Sequence, residues 1–275
     1  MRGDFHMHST HSDGSLNVNE LIRLCKENGL THMCLTDHDT IEGVKEACIE
    51  CEKAGIECIA GFELSTKLNG ESVHILTYYR SYEDIPQKMK DFLEYMKQRR
   101  KDRMKKMVEN MKTYYGFDID YNKIVEENHG TIARPHLAKE IELKYGISKK
   151  ECFDKYINED NIAYVPSSEI TPEEGIKMVH ECGGIAICAH PYLSVKNDPL
   201  EWIKYGIDGY EVNYGNTKLS KRRKYRKFCK KHNLLMTGGS DFHNLNDFKH
   251  SNIGESYIED EDIIKLLEKL ENKRG

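Results

Sequence analysis

Seven short apolar runs, each carrying polar residues at or near its end, set what this chain can fold into. FHMHS, HMCLTDHD, IECIAGFELST, ESVHILTYY, GIAICAHP, GIDGYEVNY and LLMTGGSDFH read as strands. NVNELIRLCKENG, IEGVKEACIECEKAG, TPEEGIKMVHECGG and TKLSKRRKYRKFCKKHN place apolar residues at helical spacing between them, and EDEDIIKLLEKLENK closes the chain. Pro172 sits in the first turn of one helix, and Asn69–Gly70 marks a turn between two strands. Such alternation predicts parallel strands with crossover helices, in an open sheet or a barrel. Residues 82–162 have another texture. One long charged helix is expected from Ile85 to Tyr115, then helical pieces in YNKIVEENHG, RPHLAKEIELKYG and KKECFDKYINED, with no strand signal. The expected organisation is an α/β domain built from residues 1–81 and 163–275, with residues 82–162 as a helical insertion capping the rim of the site.

At 275 residues and 38% hydrophobic content the chain is long enough to bury a core. Its 41 Lys+Arg against 46 Asp+Glu leave a net charge of −5, which argues against a general nucleic-acid coat protein. The start MRGDFHMHST lacks a signal-peptide core, and no apolar stretch is long enough for a membrane span. A cytoplasmic protein without an obligate protein partner is expected. Nine cysteines, an odd number, argue against a disulfide framework. The single CxxC, Cys48 and Cys51, has no second pair to complete a zinc site, and the thiols read as core residues.

The 13 histidines are informative by position. His6 and His8 end the first strand, with Asp13 just beyond. Asp37, His38 and Asp39 end the second and Glu63 the third. His74 lies in the fourth, His190 follows AICA, and Asp241 and His243 end the last. The carboxyl rim of parallel strands is where active sites of α/β folds assemble. His11, His32, His129, His180, His232 and His250 lack this bias and read as surface or packing residues. His-x-His on a strand puts both imidazoles on one side, because side chains alternate with period two. Imidazole with carboxylate and no thiolate suits manganese, iron or zinc. Nine such groups are too many for one ion and accommodate two or three, with Glu63 and a water as natural bridges.

FHMHSTHSDG, LTDHDT, GFELST, VHIL, AHP and GSDFH, in this order, resemble the motifs of the PHP (polymerase and histidinol phosphatase) domain family over nearly the whole chain. The resemblance implies a distorted (β/α)7 TIM-like barrel with a trinuclear centre, manganese first, with iron or zinc as alternatives. Carried over by motif, His6, His8, Glu63 and Asp241 would bind one ion. Glu63, His74 and His190 would bind the second, and Asp13, His38 and His243 the third. QRRKDR, TIARPHLAKEI, YVP and TPEEGI look most like the stand-alone branch that hydrolyses nucleoside 3′,5′-bisphosphates, some members of which trim short RNA from the 5′ end.

A cation cluster implies an anionic substrate, and a phosphoester is the default. Run 97–106 holds seven basic residues in ten, and Arg99, Arg103 and Lys106 share a helical face. Arg134 and His136 flank Pro135 and resemble phosphate-holding residues of nucleotide phosphatases. The run 218–231, nine basic residues in fourteen, reads as a solvated helix face, with RNA contact as the alternative. Tyr78, Tyr79 and Tyr214 are candidates for base stacking. Asp13, His38 and His243, with Arg134 and His136, are the expected catalytic set. A nucleotide or short RNA is the expected substrate. A histidinol-phosphatase-like enzyme, a non-catalytic metal-binding module, an RNA-directed protein and an amide hydrolase are the other readings.

Overall fold

The Asn69–Gly70 turn decides the topology of the sheet. Both residues take positive φ, +49° and +82°, as the two central positions of a type I′ hairpin require. Two residues reverse the chain and cannot carry it across to a parallel partner. In this computed structural model, which describes residues 1–127, 131–166, 170–215, 217–245 and 250–273, the strands are β1 (Arg2–Asp4), β2 (His32–Leu35), β3 (Glu57–Leu68), β4 (Glu71–Tyr79), β5 (Ile185–Cys188), β6 (Gly209–Tyr214), β7 (Leu235–Gly239) and β8 (Ile258–Glu259). They form one mixed sheet in the order β7-β6-β5-β4-β3-β2-β1-β8. β1, β2 and β3 are mutually parallel, as are β5, β6 and β7. β4 is antiparallel to both β3 and β5, and β8 is antiparallel to β1. The all-parallel expectation therefore fails at β4, because the hairpin reverses it.

The regular ladder of β1 stops at Asp4, and the FHMHS segment closes the barrel by single bonds. Phe5 N–H donates to Gly238 O (3.1 Å), Asp241 N–H to His6 O (2.7 Å) and His8 N–H to Phe242 O (2.9 Å). Gly239 permits this approach: a Cβ there would lie 2.4 Å from His6 Cβ. The barrel is solid. Phe5, Ile59, Leu76, Tyr78 and Ile187 fill it, and the Tyr78 hydroxyl donates to Phe5 O at 2.8 Å. Tyr78 and Tyr79 are buried in the core rather than at the rim, which removes them as base-stacking candidates.

The helices on the barrel are α1 (Val18–Glu27), α2 (Val44–Ala54), α7 (Pro172–Glu181), α8 (Leu219–His232) and α9 (Asp260–Glu271); α3 (Gln87–Tyr115), α4 (Tyr121–Glu127), α5 (Arg134–Tyr145) and α6 (Lys149–Lys155) lie between β4 and α7. Capping boxes start α1 at Asn17/Glu20 and α7 at Thr171/Glu174. The first half of α3 packs Met89, Leu93 and Met96 onto the barrel. Its second half joins α4, α5 and α6 in a separate core with Met104, Met107, Met111, Leu137 and Ile141. Arg100 stands between the two cores. It is buried and donates from Nε to Asp39 Oδ2 and from Nη2 to Ser65 Oγ, both at 2.6 Å. All nine cysteines are free, and Cys48 Sγ lies 3.4 Å from Cys58 rather than bonding to Cys51. Among the described residues no helix is long and apolar enough to cross a membrane.

Asp208 ties α7 to β5 and β6. Its Oδ2 accepts from His180 Nε2 (2.7 Å) and from Ala186 N–H (2.9 Å). Burial pushes the carboxyl up, but these bonds outweigh it and hold it below the ordinary value of 3.8. A depressed carboxyl stabilises the fold above its unfolded pKa, and that contribution is lost as pH falls through the folded value. Asp208→Ala should cost about 2 kcal/mol in urea unfolding at pH 7, with the gap to the unsubstituted protein closing as pH falls below about 4.

A candidate metal centre at the barrel rim

The centre is built around one carboxylate. Glu63 lies in the middle of β3, opposite Leu76 of β4, so its side chain enters the barrel interior. Its Oε1 faces His74 Nδ1 at 2.9 Å and His190 Nε2 at 3.0 Å. Its Oε2 faces His38 Nδ1 at 3.1 Å, His8 Nε2 at 3.2 Å and His6 Nε2 at 3.3 Å. Asp241 Oδ1 stands 3.1 Å from both His6 Nε2 and His8 Nε2. Asp13 Oδ1 completes the outer part, 3.4 Å from His243 Nε2, 3.9 Å from His8 Nδ1 and 4.0 Å from His38 Nε2. All nine residues carried over by motif thus meet in one place. His74 reaches the rim from the first half of its strand because β4 runs backwards.

Around them lies a layer that holds the imidazoles. Glu211, fully buried, accepts from His6 Nδ1 (3.0 Å) and from His190 N–H (2.6 Å). A carboxylate behind a ligating histidine sets its tautomer and turns the other nitrogen inward. Asp37 accepts from Ser9 N–H, Ser9 Oγ and Ser12 Oγ at 2.6–2.7 Å and fixes the loop that presents Asp13. The Tyr214 hydroxyl donates to Asp241 Oδ2 at 3.1 Å.

The donor set fits divalent ions. His6 Nε2, Asp13 Oδ1 and His38 Nδ1 are buried and make no hydrogen bond within the described residues, although polar atoms at such depth are normally paired. Burial works against charge on His8, but hydrogen bonds and charge from Asp241 and Glu63 raise it to about 10; burial works against charge on His6 too, and the negative charges of Asp241, Glu211 and Glu63 hold it well above its usual value. Burial opposes charge on Glu63 and Asp241 as well, and the surrounding imidazoles overcome it and hold both well below the usual carboxylate range. Burial holds His38 well below its usual value against the opposing charges of Glu63 and Asp13, with His8 and His74 adding to the lowering. The pocket therefore demands positive charge at its centre, which a divalent cation supplies.

The candidate phosphate-binding residues divide. Arg134 lines a cavity of about 270 Å³ together with His38, Glu63, His74, His190, Asp241 and His243. Its Nη1 donates to Ile157 O at 3.1 Å, and its guanidinium lies over the Tyr164 ring at 5.4 Å. His136 Nδ1 accepts from Ala133 N–H at 3.1 Å; burial lowers the imidazole, and nearby Asp13 partly opposes this. Arg103 is buried and donates from Nε to Val165 O; burial, with Arg100 and Arg134 close by, pushes it down to about 10. Arg99 does not line the cavity; it lies over the Tyr95 ring at 5.7 Å, on the outer side of α3. That helix turns Arg100 inward, while Arg99 is half-buried beside Tyr95.

His250, expected as a surface or packing residue, also lines the cavity. His11, His32, His180 and His232 lie away from it, with His180 bonded to Asp208 and His232 against the Phe228 ring at 4.4 Å. His129 lies outside the described residues. The α8 run keeps Lys221, Arg223, Lys224, Lys227, Lys230 and Lys231 exposed, as both a solvated face and RNA contact require.

The PHP domain family model matches residues 4–85. A 5′-3′ exoribonuclease of Haemophilus influenzae is 31% identical over 250 residues, covering 87% of this chain and 89% of the relative. A 3′,5′-nucleoside bisphosphate phosphatase of Chromobacterium violaceum is 26% identical, covering 87% and 86%. The crystal structure of a candidate metal-dependent phosphoesterase from Bifidobacterium adolescentis superposes with a TM-score of 0.83 at 25% identity, covering 97% of this chain and 96% of that one.

Glu211→Gln keeps the shape of the residue behind His6 and removes its charge. Metal affinity, measured by chelator competition, should fall by about tenfold to a hundredfold with the fold intact by circular dichroism.

Proposed function

The chain belongs to the PHP domain family and is a metal-dependent phosphoesterase, and we propose that it removes the 3′-phosphate of a nucleoside 3′,5′-bisphosphate, yielding the nucleoside 5′-monophosphate and phosphate. The observation that carries this reading is one cavity that holds both the His/carboxylate cluster and Arg134. A substrate with two phosphates fits two anion-binding ends. The similarity to a nucleoside bisphosphate phosphatase supports the same class.

In this reading His6, His8, Glu63 and Asp241 hold one ion, Glu63, His74 and His190 a second, and Asp13, His38 and His243 a third. Manganese is the first choice, with iron or zinc as alternatives. Bound there, divalent ions supply Lewis-acid stabilisation of phosphoryl charge and acidify water. The residues do the rest. Glu211 keeps His6 Nε2 turned inward and, through the His190 N–H, fixes the backbone at that corner. Arg134, held by the Ile157 carbonyl and the Tyr164 ring, offers its remaining N–H donors to the phosphate that is not cleaved. Arg103 sustains that positively charged end, and His136, whose Nδ1 accepts from Ala133 N–H, offers its other ring nitrogen as a neutral donor to the same phosphate. Residues 82–162 act as the insertion that caps the rim, since α5 brings Arg134 over the cavity and Thr131 N–H donates to His11 O at 2.8 Å. The similarity to an exoribonuclease favours a second substrate, short 5′-phosphorylated RNA, at the same centre.

Purified protein with Mn²⁺ should release phosphate from adenosine 3′,5′-bisphosphate faster than from histidinol phosphate. His8→Ala should lose about a hundredfold or more of that rate. Absence of release with manganese, iron and zinc, or equal release by His8→Ala, would overturn the reading. Arg134→Ala should raise KM by about tenfold to a hundredfold, the worth of one charged hydrogen bond, with a smaller change in kcat.

A further inference from the structure

His250 stands outside the family motifs, yet the fold delivers it to the centre. The Ser251 N–H donates to Ser240 O at 3.0 Å, and Ser251 Oγ meets Ser256 Oγ at 3.2 Å, so the chain beside His250 is fastened to the end of β7. The His250 ring stacks on His243 with centroids 4.4 Å apart and planes 26° apart. His243 in turn stacks on His8 at 4.1 Å and 24°. Three imidazoles therefore descend as a stack from the rim to the buried centre.

Asp241 uses its two oxygens on different sides. Oδ1 faces inward to His6 and His8, while Oδ2 faces outward, 3.1 Å from the Tyr214 hydroxyl and 3.6 Å from His250 Nε2. Asp241, His243 and His250 each offer a ligating atom, and these three atoms lie within 4.8 Å of one another. His250 does not join Asp13, His38 or His8 within that limit, whereas His243 does. The trio is thus a position separate from the one bounded by His8, Asp13, His38 and His243, and shares His243 with it.

We propose that Asp241, His243 and His250 form a further cation site at the rim, taking a divalent ion of the manganese–iron–zinc class. Two imidazoles and one carboxylate suit those ions better than magnesium or calcium. One imidazole nitrogen serves one ion, so a shared His243 makes the two outer positions partly interchangeable: an ion lost from the Asp13 side is held on the His250 side. The inference rests on the metal-centre reading above, but not on the identity of the substrate.

The test is a metal count, not turnover. Metal-free protein is reconstituted with Mn²⁺ or Co²⁺, desalted and analysed for ions per chain, with chelator competition for affinity. Asp13→Ala should keep an outer ion, and Asp13→Ala/His250→Ala should lose one ion per chain or bind it at least about tenfold more weakly. Asp13→Ala/His250→Gln separates ligation from hydrogen bonding, since glutamine still donates toward Asp241 Oδ2 but is a poor ligand. Loss of the ion in this variant supports the site. Equal ion counts and affinities in Asp13→Ala and both double variants would overturn it. An unsubstituted protein that binds no ion would overturn both this site and the metal centre. Retained ions without phosphate release from a bisphosphate would overturn only the substrate.

Discussion

A single buried anion organises this molecule. The Glu63 carboxylate is 1% exposed and touches five imidazoles, three on one oxygen and two on the other. An unpaired carboxylate at this depth would cost several kcal/mol or force its own protonation. Charge balance around Glu63 therefore demands that strands distant in sequence converge. The residues after β1 supply His6 and His8, the loop after β2 supplies His38, the reversed β4 supplies His74, and the end of β5 supplies His190. Barrel closure and site assembly are the same event.

That convergence is held through strained backbone. Among the described residues, three of the five non-glycine residues with positive φ are at the rim: Asp39 (+50°), His190 (+26°) and Asp241 (+52°). Each such residue costs on the order of 1–3 kcal/mol and persists only where its surroundings over-determine it. In all three the backbone N–H is captured by another part of the centre: Asp39 by Glu63 O at 2.9 Å, His190 by Glu211 Oε2 at 2.6 Å and Asp241 by His6 O at 2.7 Å. Strain at each corner is offset by a bond that also aims a ligand.

Much of this was legible from residue order. The six motifs name all nine residues that meet at the centre, because strand-end position and period-two spacing are local properties. Direction of β4 was open to reading as well, since Asn-Gly between two apolar runs is a hairpin signal that outweighs the parallel pattern around it. Glu211 left a fainter trace, one acid in the run GYEVNY between two buried residues. Arg100 was hidden inside a charged run, yet it occupies the stripe of Met89, Leu93, Met96 and Met107, where a core residue is due. Counting charge concealed it, and counting period would have found it. His250 left no local signal. Its place follows from Ser251 meeting Ser240, a contact that only the closed barrel creates.

The hydrogen bond from Asp241 to His6 spans 235 positions of the chain. Ribosomes add about 5–20 residues per second, so His6 is made roughly 12–47 s before its partner. Over that interval the first histidines have no barrel to enter and compete for ions as a free peptide would. Loading of the complete centre is therefore a late event, after the last strand has docked, and the earlier α3–α6 core has time to fold while the barrel is still open.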